Sequence, residues 1–156
     1  MDGEGHVIVA DCFNNRIQVL TQDGEPVLKF GDYGLGKLDH PFGCVFHRSR
    51  FIVSDAWNNC LKVFDRSGTF LKRIGEKGEA DGQMCSPWSL CIEKYSDHQN
   101  LLVCDGNNGR IQQFTTEGEF TGKTVCKLQY PTALTTTPDG RILCCDLQMG
   151  EVFILK

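Results

Sequence analysis

The sequence predicts an all-β fold in which a unit of four short antiparallel strands is repeated along the chain. Four short apolar runs each end in an aspartate: Val7–Asp11, Phe51–Asp55, Leu101–Asp105 and Ile142–Asp146. Another apolar run begins five residues after each of these aspartates: Arg16–Leu20, Cys60–Phe64, Arg110–Phe114 and Glu151–Leu155. No segment sustains the hydrophobic period of a helix, so almost no helix is expected.

The connections between the paired runs have the composition of tight turns. In three copies an Asn stands three residues after the aspartate, namely Asn14, Asn58 and Asn108. The next position holds Asn or Gly, which both tolerate a left-handed backbone, so hairpins are predicted there. A carboxylate at the start of such a hairpin can accept the turn N–H groups. The structural residues predicted on this ground are Asp11, Asp55, Asp105 and Asp146.

The remaining part of each unit adds two more strands. After the hairpin, a second turn leads into a further strand; its glycine is Gly24, Gly68 or Gly118. A link follows this strand and ends at a proline that opens the next unit, namely Pro41, Pro87 or Pro131. Four strands in roughly 40–50 residues are typical of the blades of a radial array. The prediction is a β-propeller fragment of two complete four-stranded blades and two partial ones. It forms a single segment, 1–156, with repeats at about 1–40, 41–86, 87–130 and 131–156. A β-sandwich would also space short strands evenly, but it would not give four registered copies of one motif.

The repeated motif resembles the NHL repeat. The resemblance is carried by Val7–Asp11 with Asn14-Asn15-Arg16, then Gly24, Phe30-Gly31 and Pro41-Phe42-Gly43. It covers nearly the whole chain and is similar to the C-terminal half of the propeller of tripartite-motif (TRIM)-NHL proteins. The fourth copy departs from the pattern at Leu147-Gln148-Met149, and the third carries an insertion, Tyr95–Asn100.

The blade count has a physical consequence for assembly. An open arc of blades would leave apolar faces and unpaired strand edges exposed. We therefore expect either a fragment of a larger ring, which in TRIM-NHL proteins an N-terminal strand closes, or self-association through the open edges.

Composition narrows the function classes. The net charge of −4 argues against wholesale binding of phosphates. Nine cysteines without a Cys-x-x-Cys, most of them in apolar runs, favour buried free thiols and a cytoplasmic location. The absence of an Asn-x-Ser/Thr sequon and of a signal peptide agrees with this location. No apolar run is long enough for a membrane helix, so no membrane association is expected. The four histidines share no ligand spacing, and we expect no metal and no cofactor.

The candidate binding surface lies where two kinds of loop meet. In an antiparallel blade, the turn between the second and third strands and the link between blades emerge at the same end. Residues predicted to contact a partner there are Phe13, Asn14, Tyr33, His40, Trp57, Asn58 and Asn107, beside Leu35 and Lys37. Phe13 and Trp57 occupy the same position in successive copies, so exposed rings would form a binding strip. The alternative is that both rings pack on the neighbouring blade.

Arginines open two of the third strands. Arg16 and Arg110 belong to the repeat, which favours a structural tie to the repeat aspartate or to nearby carbonyls. The alternative is contact with phosphate or with an acidic peptide. No nucleophile has a credible base near it in sequence, so no catalytic residue is predicted.

Three functions remain open. The leading prediction is a protein-interaction module, which the resemblance implies is the substrate- or partner-recruiting region of a TRIM-like E3 ubiquitin ligase whose RING domain lies elsewhere. The alternative is RNA binding in post-transcriptional regulation, which some TRIM-NHL propellers perform. A minor alternative is an enzyme similar to the secreted amidating lyase, which also uses NHL-like blades.

Overall fold

Four antiparallel sheets follow one another along the chain in the structure, a computed structural model that describes residues 4–94 and 98–155. The first sheet contains β1 (Val7–Asp11), β2 (Arg16–Leu20) and β3 (Pro26–Phe30). The second contains β4 (Pro41–His47), β5 (Arg50–Asp55), β6 (Cys60–Asp65) and β7 (Phe70–Ile74). The third contains β8 (Pro87–Ile92), β9 (Leu101–Asp105), β10 (Arg110–Phe114) and β11 (Phe120–Lys127). The fourth contains β12 (Pro131–Thr136), β13 (Ile142–Asp146) and β14 (Glu151–Leu155).

Each sheet is an up-and-down meander whose strands pair in sequence order. The first strands β4, β8 and β12 pack beside one another, as the inner strands of successive blades do. Two four-stranded and two three-stranded sheets in the described residues confirm the predicted propeller fragment. Within the predicted Tyr95–Asn100 insertion, residues 95–97 lie outside the described residues.

Left-handed residues close the turns that follow the repeat aspartates. One 3-10 turn, Cys12–Asn14, joins β1 to β2, and a second, Gly106–Asn108, joins β9 to β10. These turns end at Asn15 with φ 55° and at Gly109 with φ 59°, and Asn59 has φ 54° in the second sheet. A positive φ is costly for most side chains, which explains why this position holds Asn or Gly.

The core is divided into three layers, one between each pair of successive sheets. Between the first and second sheets, Phe30 packs against Phe51 and Phe64 with ring centroids 4.9 and 4.8 Å apart. Ile52, Met84 and Phe114 belong to the second layer, and the third includes Cys104 and Cys144. Phe51 and Ile52 enter different layers because adjacent strand residues point to opposite faces of a sheet. The outer face of the fourth sheet, by contrast, exposes Val152 and Ile154.

The cysteines are less uniformly buried than the sequence predicts. The eight whose side chains are described are free thiols. Cys60, Cys104 and Cys144 are buried, whereas Cys145 is exposed and the others are partly buried. Cys144 and Cys145 differ because adjacent residues of β13 face opposite sides of an outer sheet. Among the described residues, no helix is long and apolar enough to cross a membrane.

Candidate interaction surface

One end of the blades gathers the turns and the links. Pro41 pairs with Asp55, Pro87 with Asp105, and Pro131 with Asp146, so each link arrives beside the turn of its own blade. We call this end the loop face. It comprises the turns at 12–15, 56–59 and 106–109 and the links at 31–40 and 75–86.

The repeat aspartates fasten links and turns together. The Asp39 N–H donates to Asp55 Oδ1 at 2.7 Å, and the Cys85 N–H donates to Asp105 Oδ1 at 2.7 Å. The other oxygen of each aspartate accepts the side-chain amide of the turn Asn, at 2.8 Å for both Asn58 and Asn108. Each carboxylate therefore fixes the loop that precedes its blade and the hairpin that follows it.

In the first and third sheets, an arginine completes this network. Arg16 Nε lies 2.8 Å from Asp11 Oδ2, and Arg110 Nε lies 2.9 Å from Asp105 Oδ2. The hydrogen bonds from Arg16 and Asn14 lower the pKa of Asp11 below its ordinary value. Gln18 and Gln112, two residues beyond the arginines, donate to the same oxygens at 2.9 and 3.0 Å.

The second sheet obtains its cation from a different position. Cys60 stands where the arginine is expected, and Lys62 stands where the other two blades have glutamine. Lys62 Nζ lies 2.7 Å from Asp55 Oδ2 and also donates to the main-chain oxygen of Lys37. The sequence reading missed Lys62. The signal was the loss of the arginine and the gain of a lysine two positions later in one copy.

The fourth sheet satisfies its aspartate with the main chain. The N–H groups of Gln129, Tyr130, Gln148 and Met149 donate to Asp146 at 2.8, 3.0, 3.0 and 3.1 Å. Burial alone would raise the pKa of Asp146, but the four N–H groups outweigh it and hold the pKa below its ordinary value.

An aromatic cluster of Phe13, His40 and Trp57 stands on the loop face. The His40 ring stacks on Trp57 with centroids 3.7 Å apart and meets Phe13 edge-on at 5.9 Å. Phe13 is 89% exposed and Trp57 is 62% exposed, so these rings contact His40 without being buried by a neighbouring blade. We call these three residues the aromatic cluster.

The main chain holds the aromatic cluster in place. The His40 N–H donates to Asn15 Oδ1 at 2.8 Å, which joins the first link to the first turn. The Trp57 N–H donates to the main-chain oxygen of Asp39 at 3.2 Å, which joins the same link to the second turn. Asp39 Oδ1 lies 2.8 Å from His40 Nδ1 and orients the ring. The cluster is therefore a preformed surface.

The other predicted contact residues are distributed around this cluster. Asn14 and Asn58 are bonded to the repeat aspartates, and Asn107 Nδ2 lies 3.6 Å from Cys85 Sγ in the third blade. Tyr33 is 80% exposed and lines a separate open cavity of about 380 Å³ with residues that include Leu35, Phe64 and Phe70. The structure thus brings Phe13, His40 and Trp57 together and places Tyr33 elsewhere.

A second aromatic row lies beside the prolines, and the sequence reading did not identify it. Phe42 stacks on Trp88 with centroids 4.0 Å apart, and Trp88 meets Tyr130 edge-on at 5.7 Å. Trp88 Nε1 donates to the Tyr130 hydroxyl at 3.2 Å. The available signal was an aromatic residue flanking each of Pro41, Pro87 and Pro131.

The fold and this surface define the segment of a β-propeller with a loop face available to a partner. A scan against models of known protein families finds no match. Over 99% of its length the chain is 29% identical to Protein brain tumor of Drosophila melanogaster, and it spans 15% of that protein. It is 34% identical to Protein lin-41 of Caenorhabditis elegans over 32% of the chain and 4% of that protein. It is 39% identical to the E3 ubiquitin-protein ligase TRIM71 of Bos taurus over 40% of the chain and 8% of that protein.

Solved structures give the same fold. A streptogramin B lyase superposes with a TM-score of 0.66 at 15% identity, over 97% of this chain and 51% of the lyase. A Bacteroides caccae protein of unknown function superposes with a TM-score of 0.66 at 16% identity, over 92% of this chain and 53% of its own. Similarity at this level concerns the fold alone. The sequence relatives bear out the predicted resemblance to the NHL-repeat propellers of TRIM-NHL proteins.

Proposed function

We propose that this chain is the partner-recruiting propeller region of a TRIM-like E3 ubiquitin ligase and that its loop face binds a protein. The observation that carries the proposal is the aromatic cluster, in which Phe13 is 89% exposed and Trp57 is 62% exposed on a fixed frame. Large exposed aromatic rings at equivalent positions of neighbouring blades are typical of the energetic centre of a protein interface. The ligase name of TRIM71 supports the recruiting role, although this chain spans 8% of that relative.

The frame around the cluster supports a binding role. Asn15 and Asp55 fix the loops that carry the two rings, because their side chains accept hydrogen bonds of 2.8 and 2.7 Å from N–H groups of the first link. A partner that docks on such a surface loses little free energy to ordering of the loops. A cytoplasmic location remains a prediction from the cysteine pattern.

RNA is the second candidate, because exposed rings can also stack on bases. The charges of the loop face favour protein over RNA. Arg16, Lys62 and Arg110 are each paired with a repeat carboxylate, and the net charge of the chain is −4. A filter-binding assay that finds tight, salt-dependent RNA affinity in the full chain would reverse this ranking.

The test compares the full chain with the double variant Phe13→Ala/Trp57→Ala. The control is Val27→Ala/Leu71→Ala, which removes two exposed apolar side chains from the outer strands β3 and β7. We expect the control to retain a defined set of co-purifying proteins that the loop-face variant loses, with both variants still folded by circular dichroism. The retained proteins should be ubiquitylated when a RING domain is present in the same polypeptide. Equal recovery by both variants would overturn the proposal.

A further inference from the structure

A carboxylate adjoins the middle ring of the aromatic cluster. Asp39 is bonded to His40, the middle ring, and its side chain is 44% exposed. The rings of Phe13 and Trp57 are exposed on either side of His40, so the aromatic cluster has a partly exposed carboxylate at its middle ring.

The cations of the repeat are paired with the repeat aspartates and not with Asp39. Lys62 is 10% exposed and paired with Asp55, and Arg16 is paired with Asp11. Arg110 is paired with Asp105 and also donates to the main-chain oxygens of Ala80 and Gln83. Lys37 contributes one exposed ammonium from the first link.

His40 covers part of the Trp57 indole, and the indole surface that stays exposed near the Asp39 carboxylate is complementary to a cation. A guanidinium or ammonium group over Trp57 would gain a cation–π interaction, and Asp39 would supply a charge-assisted hydrogen bond. An anion in the same place would meet the Asp39 charge and the negative face of the ring.

We propose that the aromatic cluster binds a basic segment of a protein partner, with an arginine or lysine side chain placed against Trp57 and paired with Asp39. This inference rests on the proposed protein-binding function and specifies the partner's chemistry. Arginine is the better occupant because its planar guanidinium can stack on the indole and still donate two parallel hydrogen bonds to a carboxylate.

The test uses fluorescein-labelled peptides of defined composition and the full chain. Four repeats of Gly-Arg serve as the probe, with Gly-Lys, Gln and Glu analogues of equal length. We expect affinity in the order Arg, Lys, Gln, Glu, measured by fluorescence anisotropy. Binding of the Gln analogue as tightly as the Arg peptide would overturn the inference.

Charge variants separate a specific site from general attraction. Asp39→Asn removes the carboxylate from the cluster, whereas Asp81→Asn removes one exposed carboxylate from the loop face away from it. We expect Asp39→Asn to lower the affinity for the Arg peptide about tenfold and Asp81→Asn to lower it less than about twofold. This difference matches the loss of one charge-assisted hydrogen bond. Equal losses of affinity in the two variants would show that the peptide responds only to net charge, and would refute the site.

Ring variants provide an independent measurement should Asp39→Asn disturb the link. Trp57→Phe keeps an aromatic face, and Trp57→Leu keeps only apolar surface. We expect the leucine variant to lose more affinity for the Arg peptide than the phenylalanine variant, and equal affinity in the two would refute the cation–π contact.

The proposed interaction surface and the proposed basic segment can be tested separately. If partners depend on Phe13 and Trp57 but not on Asp39, the interaction surface stands and the basic segment is wrong.

Discussion

The ammonium of Lys62 lies 2.7 Å from the Asp55 carboxylate, and their side chains are 10% and 0% exposed. In the first and third blades, the corresponding carboxylate is paired with Arg16 or Arg110, which enter from a different strand position. The second blade thus has a buried ion pair formed by a different residue at a different strand position, because a buried carboxylate must be offset by a cation or, as at Asp146, by several N–H donors.

Replacing Lys62 with Met should destabilise the fold by about 3–5 kcal/mol, because Asp55 would remain buried without its cation. The measurement is the free energy of unfolding from urea titration. Lys77→Met, which removes an exposed lysine from the second link, is the control and should change it by less than about 0.5 kcal/mol.

The arrangement of the other blades suggests a rescue. Cys60→Arg with Lys62→Gln recreates the pair of residues found at Arg16 and Gln18 and at Arg110 and Gln112. We expect this double variant to recover at least half of the stability lost in Lys62→Met. A double variant no more stable than Lys62→Met would show that the second blade cannot accommodate the arginine.

Asp146→Asn should destabilise the fourth blade by about 2–3 kcal/mol at neutral pH, since four N–H groups lose a charged acceptor. The pKa of Asp146 is lowered in the folded state. Its stabilising contribution is therefore present above the unfolded value, near 3.8, and is lost as the pH falls through the folded value.

The wild type should lose stability below about pH 4 more steeply than Asp146→Asn, as measured by unfolding at several pH values. Asp139→Asn serves as the control. Asp139 also has a lowered pKa, from hydrogen bonds of Thr137 and Arg141, but it is exposed in a turn where solvent screens its charge, so the acid profile of this variant should stay close to that of the wild type. Identical acid profiles of the wild type and Asp146→Asn would contradict the prediction.

Gly106→Ala should destabilise the third blade by about 1–3 kcal/mol, the usual range for overpacking. A Cβ at this position would lie 2.6 Å from Trp88 Cδ1 and 3.0 Å from the Ser86 oxygen. In the Trp88→Leu background, Gly106→Ala should lower the melting temperature by less than it does in the wild type. Full additivity would argue against the contact.

The stacking of His40 on Trp57 predicts a measurable coupling. A double-mutant cycle with His40→Ala and Trp57→Ala, based on free energies of unfolding, should give a coupling energy of about 0.5–1.5 kcal/mol, the usual range for an aromatic pair. His40→Ala should also shift the Trp57 emission to longer wavelength, because the indole loses its cover on one face. Trp88→Phe as a common background removes the second tryptophan, and an unchanged spectrum would contradict the stack.

Among the eight cysteines whose side chains the structure describes, Cys145 should react first with a thiol reagent, since it is exposed on the outer face of the fourth sheet. Burial raises the pKa of Cys60 to about 11 and that of Cys91 to about 12, so both should be nearly inert at neutral pH. Peptide mapping after brief alkylation of the folded chain measures the order. Cys145→Ser should remove the fastest phase, and rapid labelling of Cys60 would contradict the burial of β6.

Local patterns carried most of the fold prediction. The run ending in Asp11, the turn at Asn14-Asn15 and the strand from Arg16 are adjacent in sequence, so hairpin chemistry predicts them without long-range information. Of the binding surface, the equivalence of Phe13 and Trp57 was also visible, because it follows from the repeat. The cation of Asp55 was not, because Lys62 breaks the pattern that made Arg16 recognisable.

The sequence by itself determined the repeat, the strands and the end of each blade at which the loops emerge, because turn geometry and strand alternation depend on neighbouring residues. Only the tertiary structure decided which loop residues meet. His40 joins Phe13 and Trp57 because bonds to Asn15 and Asp55 position its link between two blades. Tyr33, in the same link, lines a separate cavity with residues that include Phe64 and Phe70. Such contacts depend on how one blade is placed against the next, and that placement is set by packing across the sheets rather than by spacing along the chain.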